Sequence, residues 1–551
     1  MVFVHRLAIA LAIGSAAPAC FAQTPPSPEA SDSAQARATL SGVRVLGVIA
    51  HPERGISEAA VQAVADAALL RQAGGSLPAR LSFEQIEAVA ADITRAYRQA
   101  GFLVATAVVP PQDIEAGGVL DIQVVEGRLG RVRVEGSERY NARALAGPMQ
   151  SLVGQPVQLD RLQQAMRQVR DLPGVSVSPV LAPGAAPGET DIILVAEDSG
   201  RPYAVRIGAS NYGTDSTGRY RLEAGITAYS PLGAGDLFSA SYAYGINPND
   251  SWVGAANYNL PFAGSRGLTG VIGFTRSEIE LSTGPFAALD INGPTTQGYA
   301  GLDWRLVETP GVVVQASGRL IHETSRLDGL GLRLSEHAFD VAEAGVAVRH
   351  EQPRSRGVNF AQLNVRKAFN DESGEQNFIY NAHDSHFWLA RASASRLQGL
   401  TRNQRLSVRA TAQFTDSALT PLEQFSIGGP GSVRAVPLST ALGDRGVQAT
   451  AEYLVDAPGF STRSSPFEGR SWGEVLTVQL FYDWGRVSPV AQNRRLGVLP
   501  VTFEGAGLGV ELRAPGQQGL SIQLSAATPT GHTKSPDGDD MQLWASVGYT
   551  F

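Results

Sequence analysis

Cysteine is all but missing from this chain: 551 residues hold one, Cys20. If that residue leaves with a leader, no disulfide and no thiolate metal site is open to the mature protein. Charge is sparse too, at 18% against about 25% in ordinary soluble domains. A net charge of −7 and the want of any Lys/Arg-rich run exclude a nucleic-acid binder. Beyond the N-terminus no apolar run is long enough to cross a membrane as a helix. Catalytic signatures are missing as well. The eight His have no metal-type spacing, and no Gly-x-Ser-x-Gly elbow is present. The glycine loop at 428–431 lacks the Gly-Lys-Ser/Thr of a phosphate cradle, and Gly505-Ala-Gly-Leu-Gly509 reads as small residues on one face of a strand. Neither an enzyme site, a metal nor a cofactor is therefore expected.

What is present begins with a leader. His5 and Arg6 precede the apolar stretch Leu7 to Ala17, and Cys20-Phe21-Ala22 puts small residues at −3 and −1. Residues 1–22 thus read as a secretory signal cleaved before Gln23. The alternative is a lipoprotein with Cys20 acylated, but Ala17-Pro-Ala-Cys20 lacks the usual Leu. Residues 23–40, rich in Pro, Ser and Ala, read as a flexible segment.

A repeat follows. In the first copy, 41–127, the strand Val43–Ile49 leads to a helix from Ser57 with Val61, Val64, Ala65 and Ala68 on one face. A second helix starts at Ser82, with Gln85 completing a capping box and Ile86, Val89, Ile93 and Tyr97 at helical spacing. Gly101 ends it, and strands Phe102–Val109 and Val119–Val125 close the copy. The second copy, 128–200, has a strand at 131–136 and a helix from Asn141 to Leu152. A helix capped by Asp160 then carries Leu162, Met166 and Val169 inward, and strands follow at 175–181 and 191–196. Each copy reads β-α-α-β-β. A small three-stranded sheet leaves edges free, and an extended peptide can pair with such an edge through its main chain. An ordinary α/β spacer domain fits the periodicity equally well. The order resembles the polypeptide-transport-associated (POTRA) module, and Val109-Pro-Pro-Gln112 with Glu126-Gly127 resembles the version found in two-partner secretion transporters.

From residue 201 to 551 the period changes to two. Leu406, Val408, Ala410, Ala412 and Phe414 alternate with polar neighbours; so do Leu476, Val478, Leu480, Tyr482 and Trp484. A soluble sandwich gives the same alternation. Tight turns at Ser230, Leu260, Glu308 and Ala514 alternate with long polar loops near 279–293, 368–383, 415–445, 487–501 and 528–540, which is the rule of an outer-membrane barrel. Strand starts near 202, 217, 235, 251, 266, 295, 311, 337, 357, 384, 402, 446, 474, 502, 518 and 541 predict about sixteen strands, an even number. The segment 456–472 is long for a periplasmic turn. The last strand ends the chain with Tyr549 and Phe551 on its apolar face, similar to the terminal signal of bacterial barrels. The fold class is thus an all-β transmembrane barrel of antiparallel strands behind two small periplasmic α/β POTRA domains. Outer-membrane lipid and, during biogenesis, the barrel-assembly machinery are the implied partners.

Two segments carry the most specific resemblance. Phe425-Ser-Ile-Gly428-Gly429-Pro-Gly431-Ser432-Val433-Arg434-Ala435 ends a glycine-rich loop in an arginine, and Phe481-Tyr-Asp483-Trp-Gly485 sets one carboxylate in a strand. They are similar to the Val-Arg-Gly-Tyr loop tip and the Phe-x-Asp-x-Gly strand motif of the hemolysin secretion/activation family. The resemblance spans signal, two modules and barrel. It implies an outer-membrane transporter that recognises an unfolded secreted cargo polypeptide in the periplasm and exports it through the barrel. It also implies that the sixth external loop folds into the lumen and that Arg434 pairs with Asp483. An insertase of the same superfamily is the alternative, although those usually carry more modules; a diffusion channel would have no modules. Here Ala435 replaces the usual Gly and no aromatic follows it. Members often carry a plug helix ahead of the first module, and 23–40 is short for a helix plus a linker.

Overall fold

The computed structural model describes residues 37–551 except 115–117, 248–250, 263, 266, 282–290, 374–382, 468, 515–518 and 532–533. The leader, its cleavage site and Cys20 lie outside the described residues. By internal contacts the chain forms two compact units. The first reaches to Glu135 and includes 149–167 and 178–195; the second comprises 136–148, 168–177 and 196–551.

The first module runs β1 (Arg37–Leu46), α1 (Glu58–Gln72), β2 (Ala79–Ser82), α2 (Phe83–Gln99), β3 (Thr106–Val108) and β4 (Gly118–Val125). Its sheet has the order β2-β1-β4-β3, with β1 and β4 parallel and the outer pairs antiparallel. Two expectations are corrected. Residues 37–40, assigned to the flexible segment, are strand. The module also has a fourth strand, β2, so its order is β-α-β-α-β-β. Four residues with one buried side chain, Leu81, are too short to show alternation. The Ser82–Gln85 capping box starts α2, with the Gln85 N–H donating to Ser82 Oγ (3.3 Å) and the Ser82 N–H to Gln85 Oε1 (3.0 Å). Ile86, Val89, Ile93 and Tyr97 of α2 are buried against Leu120 and Ile122 of β4 in one apolar core. Burial pushes the Tyr97 hydroxyl up to about 12. Gln112 continues the sheet where β3 stops: its side chain donates to the Asp121 carbonyl (2.7 Å) and accepts from the Asp121 N–H (2.9 Å). Arg44 and Asp121, opposite each other on β1 and β4, form an exposed bidentate pair, whose hydrogen bond holds Asp121 below the usual carboxylate range.

The second module runs β5 (Arg128–Glu135), α3 (Ala142–Gln150), α4 (Leu159–Arg170), β6 (Val175–Pro183) and β7 (Glu189–Asp198), in the sheet order β5-β7-β6. Leu162, Met166 and Val169 are buried. Asp160 is not the cap of α4. It lies inside the first turn, and its carboxylate accepts from Arg54 Nη2 at 2.6 Å.

The remainder is a closed barrel of sixteen antiparallel strands. They are β8 (Tyr203–Ser210), β9 (Tyr220–Tyr229), β10 (Leu237–Ile246), β11 (Trp252–Pro261), β12 (Leu268–Leu281), β13 (Ile291–Thr309), β14 (Val312–Gly329), β15 (Leu332–Gln352), β16 (Gly357–Asp371), β17 (Trp388–Gly399) and β18 (Gln404–Phe414). After the short hairpin β19 (Phe425–Ile427) and β20 (Ala441–Gly443) come β21 (Arg445–Asp456), β22 (Leu476–Ser488), β23 (Val501–Arg513), β24 (Gly519–Pro529) and β25 (Gln542–Thr550). Pairing of β25 with β8, Val547 opposite Ala209, closes the ring. Closure removes the unpaired edges that lipid cannot solvate. Leu480, Tyr482, Leu508, Val510, Leu543 and Val547 stand exposed on the outer face, as an apolar belt in hydrocarbon requires.

Several connections differ from the reading of the sequence. β13, β14 and β15, at 19, 18 and 21 residues, exceed the roughly 9–11 that span a bilayer. Of the polar loop expected at 279–293, residues 279–281 and 291–293 are strand. The 487–501 loop contains α6 (Ala491–Arg495), and the long turn after β21 ends in α5 (Trp472–Val475), whose Ser471 N–H donates to Glu474 Oε2.

Replacing Ile93, fully buried, with Ala is expected to cost about 2–5 kcal/mol. Phe83→Ala on the exposed face should cost less than about 0.5 kcal/mol. Denaturant melts followed by hydrogen exchange in 79–125 compare the two; equal losses would contradict this core.

Candidate functional site

The loop between β18 and β21, residues 415–444, runs into the barrel and places Arg434 on the inner wall. Two glycines allow the turn. Gly428 and Gly429 have φ of 113° and 92°, a region closed to most side chains, and a Cβ on Gly428 would stand 2.2 Å from the Pro437 carbonyl oxygen. Gly431 has open space around it. Ser432 Oγ accepts from the Gly428 N–H (3.3 Å) and donates to Gln448 on β21. Val433 is buried over Gly485.

Arg434 and Asp483 meet as a bidentate pair. Nε donates to Oδ2 and Nη2 to Oδ1, both at 2.8 Å, and the Arg434 backbone N–H adds a third bond to Oδ2 at 3.1 Å. Thr450 Oγ1, directly opposite Asp483 on β21, donates to Oδ1 at 2.9 Å. Arg434 is 3% exposed and Asp483 0%. The remaining guanidinium nitrogen, Nη1, lies 2.9 Å from Glu452 Oε1, which also receives Arg409 Nη2 at 3.0 Å. Two guanidiniums thus face two carboxylates, with Arg434, Asp483 and Glu452 buried and Arg409 46% exposed. The Phe481 ring centroid lies 3.4 Å from Arg434 Cζ, a stacked cation–π contact. Trp544 of β25 donates its indole N–H to the Arg434 carbonyl at 2.7 Å, so the tip is held from β21 round to β25.

Register explains why these side chains converge. Glu452, Phe481 and Gly507 lie opposite one another on β21, β22 and β23; one step outward lie Thr450, Asp483 and Gly505; the next holds Gln448, Gly485 and Phe503. Residues opposite each other share a face, and all three rows face the lumen. The glycines in the rows make room. A Cβ on Gly507 would stand 2.4 Å from Phe481 Cζ, and one on Gly505 would stand 2.2 Å from the Cβ of Ala435. The methyl of Ala435, the departure from the usual glycine, therefore fills space left by Gly505, and its φ is not positive. An aromatic after the arginine is missing, and Phe481 and Trp544 supply aromatic contact from the wall. At the other end of the motif set, Tyr549 and Phe551 share the end of β25 with their rings 5.6 Å apart.

Glu452, Thr450, Arg409 and Trp544 escaped the reading of the sequence. The signal for the first two was there: Gln448, Thr450 and Glu452 alternate with Val447, Ala449 and Ala451. Trp544 carried the same signal, since it alternates with Leu543 and Ala545 and so lies on the inner face.

A family model for "Haemolysin secretion/activation protein ShlB/FhaC/HecB" matches residues 188–512, and one for the ShlB-type POTRA domain matches 52–127. The chain is similar to the hemolysin transporter protein ShlB of Serratia marcescens, 26% identical over 488 residues that cover 86% of this chain and 81% of that one. It is also similar to the heme/hemopexin transporter protein HuxB of Haemophilus influenzae, 24% identical over 487 residues, covering 86% and 82%. Among solved structures it shares the fold of CdiB from Escherichia coli, with a TM-score of 0.65 at 21% identity over 96% of this chain and 93% of that one.

Gly505→Val is expected to push Ala435 away and loosen the tip, and Ala435→Gly in the same chain should restore much of the loss. Single-channel conductance in planar bilayers reads the position of the tip. Equal conductance for Gly505→Val and the unaltered protein would contradict the packing described.

Proposed function

This chain belongs to the ShlB/FhaC/HecB family of haemolysin secretion/activation proteins, and we propose that its POTRA modules capture an unfolded secreted partner for export past a lumen loop anchored by Arg434 and Asp483. It is an outer-membrane transporter with its POTRA domains on the periplasmic side. The observation that carries the proposed role of the loop is the pair itself: a fully buried, bidentate, three-bond contact between a loop tip and a strand. Removing one partner of a buried pair leaves an unpaired charge and costs about 3–5 kcal/mol. That is enough to hold a loop of thirty residues in one place against the entropy of release, which grows only slowly with length.

Capture is assigned to the edge of the first module. β3 has one sheet neighbour, β4, and its other side borders a groove of about 600 Å³ lined by Phe83, Ala90, Thr94, Thr106 and Val108. Phe83 and Val108 are exposed apolar side chains there. Thr94 Oγ1 accepts from the Ala107 N–H at 2.9 Å and occupies that outward donor. An incoming strand exchanges this bond for its own main-chain carbonyl and seats alternate side chains in the groove. In the second module β6 is also an edge, with Val180 and Leu181 exposed. No phosphate-binding loop stands in the sequence, so the free energy for export is assigned to folding of the cargo outside. The assembly machinery and the lipid bilayer are the remaining partners, through Tyr549, Phe551 and the outer belt.

Arg434→Ala and Asp483→Asn should each give a barrel that inserts and stays heat-modifiable but secretes at least about tenfold less cargo, a factor worth ~1.4 kcal/mol. Undiminished secretion by both would sink the anchor. Ala107→Pro, which removes the outward N–H of β3, should weaken binding of an unfolded cargo segment about tenfold; unchanged binding would rule that edge out as the capture surface.

A further inference from the structure

The loop that carries Arg434 holds a second buried charge, and it has the opposite sign. Glu423 lies in the stem, nine residues past the end of β18, and is 0% exposed. Its Oε1 stands 2.5 Å from Arg366 Nη1 of β16, and its Oε2 stands 3.2 Å from Arg391 Nη2 of β17. The main chain is caught at the same point. The Glu423 carbonyl accepts from Arg391 Nη2 and from Gln413 Nε2, both at 2.9 Å. Arg366, 5% exposed, is itself set by the wall: Nη2 donates to Glu323 of β14 at 3.2 Å, and Gln297 of β13 donates to the same carboxylate at 3.0 Å. Two carboxylates, Glu323 and Glu423, thus face two guanidiniums. Glu343 stands at the rim, 3.6 Å from Arg366 Nε and 18% exposed. Asp444, at the return of the loop, accepts from the Leu419 N–H at 3.0 Å and from the Val490 N–H at 2.9 Å. That carboxylate closes the stem and ties it to the neighbouring external loop.

The two charged contacts sit on different walls. The tip pairs with β22 and with β21, the strand into which the loop returns, whereas the stem pairs with β16 and β17, on the other side of β18. Among the described residues Arg434 and Glu423 share no ion-pair partner. We propose that Glu423 is a second, independent positioning residue, a stem clamp that keeps the loop attached to the lumen wall when the Arg434 tip is released. This rests on the export reading only in assigning a use to tip release.

Full-length protein in planar lipid bilayers tests this by single-channel recording, with Arg434→Ala, Glu423→Gln and the double variant, each first shown to be heat-modifiable. If the clamps are independent, each single variant raises the open fraction about tenfold and the double variant shows about the product of the two. Glu423→Asp, which keeps the charge, stays near the unaltered protein. The proposal is overturned if Glu423→Gln is indistinguishable from the unaltered protein, or if the double variant opens no more than Arg434→Ala. Should Glu423→Gln not fold, Arg391→Gln, whose side chain is about a third exposed, takes its place, and the same two results overturn the proposal. The recordings contain no cargo, so they test the clamp whether or not the export reading stands.

Discussion

A guanidinium taken out of water has to be met by carboxylates, and in this barrel that need decides where thirty residues of loop lie. Arg434 meets two, Asp483 and Glu452, and both come from neighbouring strands whose register aligns them. A charge transferred alone into a low-dielectric interior costs many kcal/mol, so the loop has few places to rest with its tip buried. The carboxylates are equally constrained. With the tip gone, Asp483 keeps one hydrogen bond from Thr450, and Glu452 keeps Arg409. Tip and wall therefore depend on each other, and the apolar cluster of Ile427, Val433, Val436, Phe481 and Phe503 packs around a contact that charge has already fixed.

The wall is complementary to the tip. A sixteen-strand ring leaves a wide interior, and most inner positions could hold any polar side chain. On β22 and β23 they hold glycine where the loop comes closest, at Gly485 and Gly505, and at Gly507 beneath Phe481. The space is specific to the atom: Ala435 sits at Gly505, and Phe481 leans over Gly507 toward the guanidinium. The loop's departure from its family pattern at Ala435 is thus matched by empty space on the strand. The periplasmic modules work by a different constraint. Their sheets are short, and the edges that β3 and β6 leave free are covered only in part, by Thr94 and by exposed apolar side chains.

Much of this was legible in the chain itself because barrels write their geometry into a period of two. Alternation such as that of Leu476 to Trp484 marks both the strand and the face, so counting alone sets the loop after the eleventh strand and Asp483 inside the thirteenth. Strand starts fall within a few residues of the observed ones, 202 against Tyr203 and 518 against Gly519. Three kinds of feature were hidden. Short elements such as β2 and α6 hold too few residues to show a period. The outer ends of β13 to β15 are polar, because they lie beyond the hydrocarbon, and so they read as loop. Partners on other strands, Trp544 for Arg434 and Arg366 for Glu423, share no sequence spacing with what they touch; the curl of the sheet and the path of the loop bring them together.

The proposed anchor requires that the charge pair, more than the surrounding packing, hold the tip against β22. Since the sequence holds one cysteine, Cys20, far from the barrel strands in the chain, a disulfide introduced in a Cys20→Ser background can report on this directly. A Cβ on Gly485 would stand 2.9 Å from Val433 Cγ2, a geometry compatible with the roughly 3.5–4.5 Å between Cβ atoms in a disulfide. The measurement is the rate of cross-linking between Val433→Cys and Gly485→Cys in intact outer membranes, with and without Asp483→Asn. Anchoring by charge predicts rapid bond formation with Asp483 in place and a marked slowing without it. Equal rates in the two backgrounds, or no cross-link in either, would contradict it.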